Sequence, residues 1–453
     1  MGKIFKGMTP GLIILLAFLA PINSEACTGG LSLGFPGGGQ NMIGATLDWS
    51  SVLDLSMMKA TLVVSSGGYR YLRIAYGGQP GDGAWINEKG VGYKDFSRLI
   101  TNGPDVPEID QNVVSDQLMK GSDSAKKLIQ TWTPILEQYG CGQPKDAMNG
   151  WAILVVDNDE GYLVEGGDTL ENGSVKHLHG VIGPMKDTIF AQANYYLDET
   201  LRKYQGSFYP DIGVGGAGYE RGRRMWNMLA QQQYNNITKG EGNGLIGVDY
   251  WMEVLRSRGT QTIKTNDPWK SLWYQKPLDL ASPTQGEDAI CKNMGAVGES
   301  IGLTYCGQIV RPSNRLPHLL SCIWSGLGFP LTSPYLPFYI GINQVPEELA
   351  SGDREGSFAS VFNTLYNLVF EEKTVKGRRT LVPNTGRLRM MVEVWRSFDA
   401  GSLAQSEAIE ANVESLAREG KEEEARTILT NFLRDRSSQA VSEAQKWINK
   451  WSK

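Results

Sequence analysis

Short stretches of alternating apolar and polar residues, separated by glycine-rich turns, dominate much of the chain after residue 26. Side chains of a strand point alternately to its two faces, so this period of two predicts β-strands. Glycine pairs such as Gly67-Gly68 stand between neighbouring stretches and favour antiparallel hairpins. The predicted strands are 31–35, 42–49, 61–65, 69–76, 84–86, 91–93, 151–156, 161–165, 181–182 and 188–193.

Apolar residues at helical spacing interrupt the strands at three places. The longest predicted helix covers 116–139, where Pro134 is a candidate kink and Gly140 a stop signal. Two further helices are predicted over 197–204 and 220–233. Because strands and helices come in blocks rather than in strict alternation, the pattern predicts an α+β fold with antiparallel sheets.

The last third of the chain divides into two parts of different character. Residues 259–350 are rich in glycine, proline and aromatic side chains, which predicts strands and loops that wrap the sheet. In the tail, 401–453, apolar residues keep helical spacing in three blocks separated by Gly420 and by Ser437-Ser438. We therefore predict three short amphipathic helices packed on the main domain. Acidic and basic residues alternate there, which argues against a basic membrane-binding surface.

The first 26 residues have the three-part pattern of a secretory signal peptide. Two lysines form a basic start, residues 11–20 are apolar, and Ser24 and Ala26 are small residues before a cut at Cys27. The apolar run is shorter than the roughly 20 residues that a membrane-spanning helix needs. We predict cleavage after residue 26 and export to the periplasm or the extracellular space, with no membrane span.

Composition limits the partners that this protein can have. The chain of 453 residues has 41% hydrophobic and 21% charged residues and a net charge of −5, as in an ordinary soluble protein. This mild acidity argues against nucleic acid or an anionic membrane as the partner. Five cysteines in an exported protein leave one thiol over. If that thiol is Cys27, the other four form up to two disulfides or remain buried free thiols.

A cut before Cys27 would place a thiol and a free α-amine on one residue. The thiolate is a nucleophile, and the α-amine, whose pKa in peptides lies near neutrality, is a base within reach. Such a pair attacks an amide carbonyl without a histidine, and the chain has only 3 His. The competing interpretation is a lipid-anchor cysteine, which requires an apolar residue three positions earlier, where Ser24 stands.

Three other patterns suggest chemistry but lack the structural context that it requires. Residues 30–34 match a serine-hydrolase elbow, but Pro36 and three glycines follow where a helix should begin. Residues 213–218 match a dinucleotide-binding pattern, but no buried strand precedes them. His177 and His179 would share one face of a strand, but no third metal ligand is clear nearby. We therefore predict neither a metal nor a cofactor.

Three polar residues near strand ends are candidates to assist Cys27. Asp48, near the end of strand 42–49, would hold the terminal amine in register or would simply cap the strand. Asn87 and Asn194 would each donate an amide N–H to the oxyanion formed in amide hydrolysis, a contribution of roughly 3–4 kcal/mol per donor. Asn87 also fits a purely structural role in a turn.

The order and spacing of these residues resemble the Ntn-hydrolase cysteine peptidases of the dipeptidase and secernin type. Wider relatives of that family are the choloylglycine hydrolases and the penicillin V acylases. The similarity extends from Cys27 to about Leu349, and the tail fits more loosely. The matching motifs are Cys27-Thr28, Gly44-x-x-x-Asp48-Trp49, Trp85-Ile86-Asn87-Glu88-Lys89-Gly90-Val91, Glu137-Gln138-Tyr139-Gly140-x-Gly142, residues 153–165, Ala193-Asn194, Ala289-Ile290-Cys291, Ile323-Trp324-x-x-x-Gly328-x-Pro330 and Tyr335-x-Pro337, before Pro346.

The resemblance implies a four-layer αββα sandwich that becomes active when the cysteine is exposed. It also implies roles for four residues: Cys27 as nucleophile and base, Asp48 as the group that orients it, and Asn87 and Asn194 as oxyanion ligands. The expected substrates are dipeptides or non-peptidic amides.

Two departures from the family pattern concern arginines. Related acylases often carry an arginine three residues before the aspartate, where this chain has Ala45. They also use a later arginine, for which Arg221, Arg223 and Arg224 are candidates. We take Arg224 as the candidate substrate-binding residue.

Together these observations predict a domain organisation and a function. Residues 1–26 are a signal peptide, 27–400 an Ntn-hydrolase catalytic domain and 401–453 a helical tail. The leading prediction is a secreted cysteine hydrolase of C–N amide bonds, a dipeptidase by preference. An acylase of N-acyl amides is the second enzymatic prediction. The contrasting class is a lipid-anchored, non-catalytic binding protein on the same fold. The predicted partner is a small peptide or an N-acyl amide, with no nucleic acid.

Overall fold

A computed structural model describes most of the chain after residue 26. The described residues are 27–49, 58–64, 66–76, 83–99, 109–141, 149–193, 195–204, 217–239, 245–259, 289–291, 303–352, 354–375 and 378–453. Three sequence predictions lie wholly or mostly outside these residues: the signal peptide at 1–26, the oxyanion role of Asn194 and the glycine pattern at 213–218.

Helices and strands occur in blocks, as an α+β fold requires. In chain order the strands are β1 (Gly29–Ser32), β2 (Met42–Trp49), β3 (Met58–Val63), β4 (Tyr71–Tyr76), β5 (Gly83–Asn87), β6 (Gly92–Leu99), β7 (Asn149–Val156), β8 (Gly161–Glu171), β9 (Ser174–Met185), β10 (Ile189–Gln192), β11 (Leu303–Arg311), β12 (Cys322–Ser325), β13 (Leu336–Tyr339), β14 (Phe370–Val375) and β15 (Arg378–Pro383). The helices are α1 (Gln111–Gly121), α2 (Ala125–Tyr139), α3 (Glu199–Arg202), α4 (Ala217–Lys239), α5 (Val248–Leu255), α6 (Pro317–Leu320), α7 (Glu347–Ala350), α8 (Phe358–Val369), α9 (Thr385–Arg418) and α10 (Glu422–Trp451). The predicted α+β class is confirmed.

The described strands form two large antiparallel sheets and one small hairpin. The first sheet has six strands in the order β10-β1-β2-β11-β12-β13, and the second has seven in the order β3-β4-β5-β6-β7-β8-β9. Strands β14 and β15 pair with each other. Strand β11, from the region predicted to wrap the sheet, pairs directly with β2 and therefore lies at the centre of the six-stranded sheet.

The two large sheets pack face to face, and β7 shows how the sequence produces this packing. Its residues Ala152 and Leu154 belong to the core shared with the six-stranded sheet, whereas Trp151 and Ile153 belong to a second core on the opposite face. In that second core Trp151 meets Trp132 of α2 edge to face, with 4.7 Å between ring centroids. Both faces of β7 are buried, which explains its nearly continuous apolar sequence.

Helices cover the outer face of each large sheet in the described residues. Helices α1 and α2 pack on the seven-stranded sheet, and α4 and α5 pack on the six-stranded sheet. The predicted single helix over 116–139 is in fact two helices, because Ser124 caps α2 by accepting from the backbone N–H of Lys127. Asp157 completes the break by accepting from the N–H of Ala125 at 2.6 Å. Gly140 ends α2 with a positive φ of 75°, as predicted.

The tail differs from its prediction in length and in number of helices. Instead of three short helices after residue 401, the chain forms α9 with 34 residues and α10 with 30. Helix α9 is capped by Asn384, so position 400/401 lies inside a helix rather than at a boundary. Ser437 is buried within α10, and its hydroxyl donates to Glu348 Oε1 at 2.6 Å. Ser437 therefore marks a tertiary contact and not a helix end.

None of the described helices is both long enough and apolar enough to cross a membrane.

Candidate active site

Asp48 is a fully buried carboxylate near the end of β2. Its Oδ1 accepts a hydrogen bond from Thr304 Oγ1 at 2.7 Å, and its Oδ2 lies 3.3 Å from Arg221 Nη1. Thr304 lies on β11, directly opposite Asp48 in the strand register. A buried carboxylate is stable only when it is paired and hydrogen-bonded, and these two partners satisfy that requirement.

Arg221 connects helix α4 to the first residues after the predicted cleavage point. Its side chain is 1% exposed, and Nη1 donates to Thr28 Oγ1 at 2.8 Å as well as to Asp48. The next residue, Gly222, allows helix α4 to approach strand β10 closely. A Cβ on Gly222 would lie only 3.1 Å from the Cα of Gln192. In the sequence, Arg221 is only one of three candidate arginines. Gly222, the next residue in the predicted helix 220–233, could have indicated that this part of the helix packs closely on a strand.

Cys27 lies beside Asp48 at the end of the β1–β2 pair. Its Sγ donates to the backbone carbonyl of Asp48 at 3.8 Å, and the residue is 2% exposed. Thr28 and Thr46 extend the pairing toward Cys27, since Thr46 N donates to Thr28 O at 2.8 Å and Thr28 N donates to Thr46 Oγ1 at 3.1 Å. The structure thus brings together two of the predicted site residues, Cys27 and Asp48.

Three of the other four cysteines are unsuited to act as nucleophiles. All five cysteines are buried, and Cys291, Cys306 and Cys322 are free thiols, as the free-thiol interpretation predicts. Burial raises the pKa of the Cys306 thiol to about 12 and that of the Cys291 thiol well above its usual range. Burial likewise raises the pKa of Cys322. These three thiols remain protonated at neutral pH, and a thiol is a far weaker nucleophile than a thiolate.

Asn87 lies at the end of β5, and its side chain has a structural role. Its Nδ2 donates to the carbonyls of Met119 and Ser122 at 3.0 and 2.7 Å. Its Oδ1 accepts from the backbone N–H groups of Lys89 and Val91, both at 3.0 Å. An amide group has only two N–H donors, so this arrangement leaves none for an oxyanion. The geometry matches the alternative interpretation of Asn87 as a turn residue.

The two remaining predicted residues are Asn194 and Arg224. Asn194 itself lies outside the described residues, although both of its neighbours, Ala193 and Tyr195, are buried. Arg224 lies on α4 one turn after Arg221, is partly buried, and has its Nε 3.5 Å from Ser257 Oγ. Of the three candidate arginines, Arg221 is the one with an established contact to Asp48.

The two strand histidines contact carboxylates on β8 and α2. His177 Nδ1 lies 3.0 Å from Asp168 Oδ1, and His179 Nε2 lies 3.6 Å from Glu137 Oε1. Both side chains are partly exposed. Within the described ranges, no group of three or more His, Cys, Asp or Glu side chains is arranged to hold a metal ion.

Comparison with known proteins gives only distant likenesses. No model of a protein family matches the chain, and no curated protein matches it in sequence. Solved structures with detectable likeness include a variant of conjugated bile acid hydrolase from Clostridium perfringens, at 10% identity and a TM-score of 0.33, over 66% of this chain and 88% of that one. A second variant of the same enzyme gives 11% identity and a TM-score of 0.35, over 72% of this chain and 94% of that one. Likenesses of this size assign the chain to no family.

Proposed function

We propose that this protein is a cysteine hydrolase of C–N amide bonds that acts through Cys27 as an N-terminal nucleophile, on an αββα fold of the Ntn-hydrolase type. Removal of residues 1–26, which we propose to be an export signal, would free the α-amine of Cys27. Dipeptides are the substrates proposed first, with N-acyl amides as the second class.

The observation that carries this proposal is the contact of the Cys27 thiol with the main-chain carbonyl of Asp48, a residue whose carboxylate is itself held in place. Cys27 Sγ meets the Asp48 carbonyl at 3.8 Å, and the Asp48 carboxylate is fixed by Thr304 and Arg221. A nucleophile is activated when a second group orients its base. In the cleaved protein the base would be the α-amine of Cys27, and Asp48 would orient that amine.

The reaction then proceeds in two balanced halves. The Cys27 thiol transfers its proton to the α-amine, the sulfur forms a bond to the amide carbon, and the carbonyl electron pair moves to oxygen. When this pair returns, the C–N bond breaks and the leaving amine takes the proton from the α-ammonium. Water then attacks the resulting thioester, the acid product leaves, and the Cys27 thiol is restored. Asn194 remains the proposed oxyanion donor.

The decisive experiment joins mass spectrometry of the mature N-terminus with turnover measurements. We expect a free Cys27 at the N-terminus and hydrolysis within a panel of dipeptides and N-acyl amino acids. Cys27→Ala should abolish turnover, whereas removing the buried thiol of Cys306 with Cys306→Ala should leave turnover intact, provided that the variant folds. Full activity in Cys27→Ala would exclude the mechanism.

The mass of the mature N-terminus also distinguishes the proposed enzyme from a lipid-anchored, non-catalytic binding protein. A diacylglyceryl group on Cys27, with the amine blocked, would instead support a lipid-anchored binding protein.

A further inference from the structure

Gln192, the last residue of β10, has a buried carboxamide without partners. Its side chain is 0% exposed, and among the described residues neither Nε2 nor Oε1 has a hydrogen-bond partner. A buried amide left unpaired destabilises the folded state, so such groups are rare in proteins and require an explanation. Two explanations are available: a ligand that completes the hydrogen bonds, or an ordered water that does so permanently.

The strand register shows where this carboxamide points. Gln192 lies directly opposite Gly29 of β1, and Gly29 lies directly opposite Ala45 of β2. Residues opposite each other on neighbouring strands carry their side chains on the same face of the sheet. A Cβ on Gly29 would lie 2.4 Å from Phe96 Cζ of β6, so this face is turned toward the seven-stranded sheet. Gln192 therefore points into the space between the two sheets.

Cys27 is close to this position along β1. It precedes Gly29 by two residues, and successive side chains of an extended chain alternate between faces. Thr28, between them, contacts Arg221 on the opposite face, where helix α4 packs. By this alternation the Cys27 thiol and the Gln192 carboxamide belong to the same face of the six-stranded sheet.

A second glutamine in the same row differs from Gln192 and serves as its matched control. Gln308 of β11 lies opposite Ala45 and is also fully buried. Its Nε2 donates to the Ile74 carbonyl of the facing sheet at 2.8 Å. Gln308 therefore has a structural hydrogen bond between the sheets, which Gln192 lacks in the described residues.

We infer that Gln192 is a substrate-binding residue whose carboxamide pairs with an uncharged amide group of the substrate beside the bond that Cys27 cleaves. The inference rests on the proposed function. A carboxamide offers both a donor and an acceptor, and it therefore complements another amide. A carboxylate in that place could accept from Nε2 but has no donor for Oε1, so it would leave the carboxamide half paired. Among the proposed substrates, those with a second amide, such as a dipeptide amide or an N-acyl dipeptide, should then be preferred over simple dipeptides with charged termini.

The test compares Gln192→Met with Gln308→Met, since methionine keeps the length of the side chain. We expect Gln192→Met to keep or raise the melting temperature, because it removes unpaired buried polar atoms. Its kcat/KM on dipeptide amides should fall about tenfold to hundredfold, because the substrate amide loses its partner. Gln308→Met should lower the melting temperature by about 2 °C and leave kcat/KM unchanged. A lower melting temperature with unchanged kcat/KM in Gln192→Met would overturn the inference in favour of a structural water.

A binding measurement separates this inference from the proposed function. Dipeptide amides should raise the melting temperature of Cys27→Ala, and Cys27→Ala/Gln192→Met should lose that shift. Equal shifts in the two proteins, or no shift in either, overturn the role of Gln192. If Cys27→Ala abolishes turnover while Gln192→Met retains it, the hydrolase proposal stands and the Gln192 inference fails. If Cys27→Ala retains turnover but the binding shift depends on Gln192, the hydrolase mechanism fails and the binding role of Gln192 stands.

Discussion

Two of the buried arginine–carboxylate contacts on the helix-covered side of the six-stranded sheet have different surroundings. In one, Arg256 Nη2 meets Asp399 Oδ2 of helix α9 at 2.6 Å, and Arg256 Nε also donates to the Pro330 carbonyl at 2.8 Å. In the other, Arg221 Nη1 lies 3.3 Å from Asp48 Oδ2 and 2.8 Å from Thr28 Oγ1. Both arginines are 1% exposed.

The difference lies in what each arginine holds. Arg256 binds a helix carboxylate and main-chain carbonyls, including that of Ser333, so it fastens α9 to the loops beside the sheet. Arg221 binds side chains of the two residues that flank the candidate nucleophile in space, Thr28 and Asp48. The first pair should therefore determine whether the protein stays folded. The second should determine whether Cys27 is correctly placed for chemistry.

The largest expected effect comes from removing the charge at the site. Asp48→Asn keeps the shape of the side chain but replaces one carboxylate oxygen with an amide nitrogen that cannot accept from Arg221 or Thr304. Loss of an orienting carboxylate in comparable hydrolases costs about 10⁴-fold in kcat. We expect kcat/KM to fall by about 10³- to 10⁴-fold. Turnover measurements give kcat/KM, and circular dichroism gives the folded fraction to which it is normalised. A loss below tenfold would show that Asp48 has only a structural role.

The next largest effect is expected at the other pair and concerns stability. Arg256→Met leaves Asp399 as an unpaired buried carboxylate, which typically lowers the free energy of unfolding by about 3–5 kcal/mol. Denaturant titration measures this loss, and the kcat/KM of the folded fraction should stay at the wild-type value. The double variant Arg256→Met/Asp399→Leu should recover much of the lost stability, because no buried charge remains. A double variant as unstable as the single one would contradict the pairing argument.

Thr304 allows a finer test of the site. Thr304→Val preserves shape but removes the hydroxyl that donates to Asp48 Oδ1 at 2.7 Å. A hydrogen bond to a charged group contributes about 1.5–3 kcal/mol, so kcat/KM should fall roughly tenfold to hundredfold. Thr304→Ser keeps the hydroxyl and should retain most of the activity. Equal losses in the two variants would indicate that packing of the methyl group, and not the hydrogen bond, matters at this position.

The parts of the fold that depend on local signals were predictable from the sequence. Strand β2 has the predicted bounds of 42–49, because alternating side chains and a glycine-rich turn define it locally. Gly140 ends α2 as predicted, since glycine adopts a positive φ without strain. The tail was predicted wrongly because Ser437 resembles a local break, whereas its hydroxyl bonds to Glu348, 89 positions away in the chain.

For the candidate site, the sequence could indicate only residues that are recognisable from local features. Cys27 and Asp48 could be named because the cleavage pattern and the strand end are local features. The contact of Arg221 with Asp48 spans 173 positions, and nothing in the spacing of Arg221, Arg223 and Arg224 shows which of them reaches the strand. Asn87 fits both a turn and an oxyanion site in sequence, and only its contacts with Met119 and Ser122 distinguish the two roles.

The smallest expected effect is a pH dependence at the stabilising pair. Burial raises the pKa of Asp399 to about 6, although Arg256 opposes the shift. A carboxyl whose pKa is higher in the folded than in the unfolded state binds more protons when folded, so its contribution to stability falls as pH rises through about 6. The free energy of unfolding of the wild type minus that of Asp399→Asn should therefore decrease by about 1 kcal/mol between pH 5 and pH 7.5. Denaturant titrations at several pH values measure this difference. A difference that grows with pH would mean that Arg256 outweighs burial and that the pKa of Asp399 lies below its usual value.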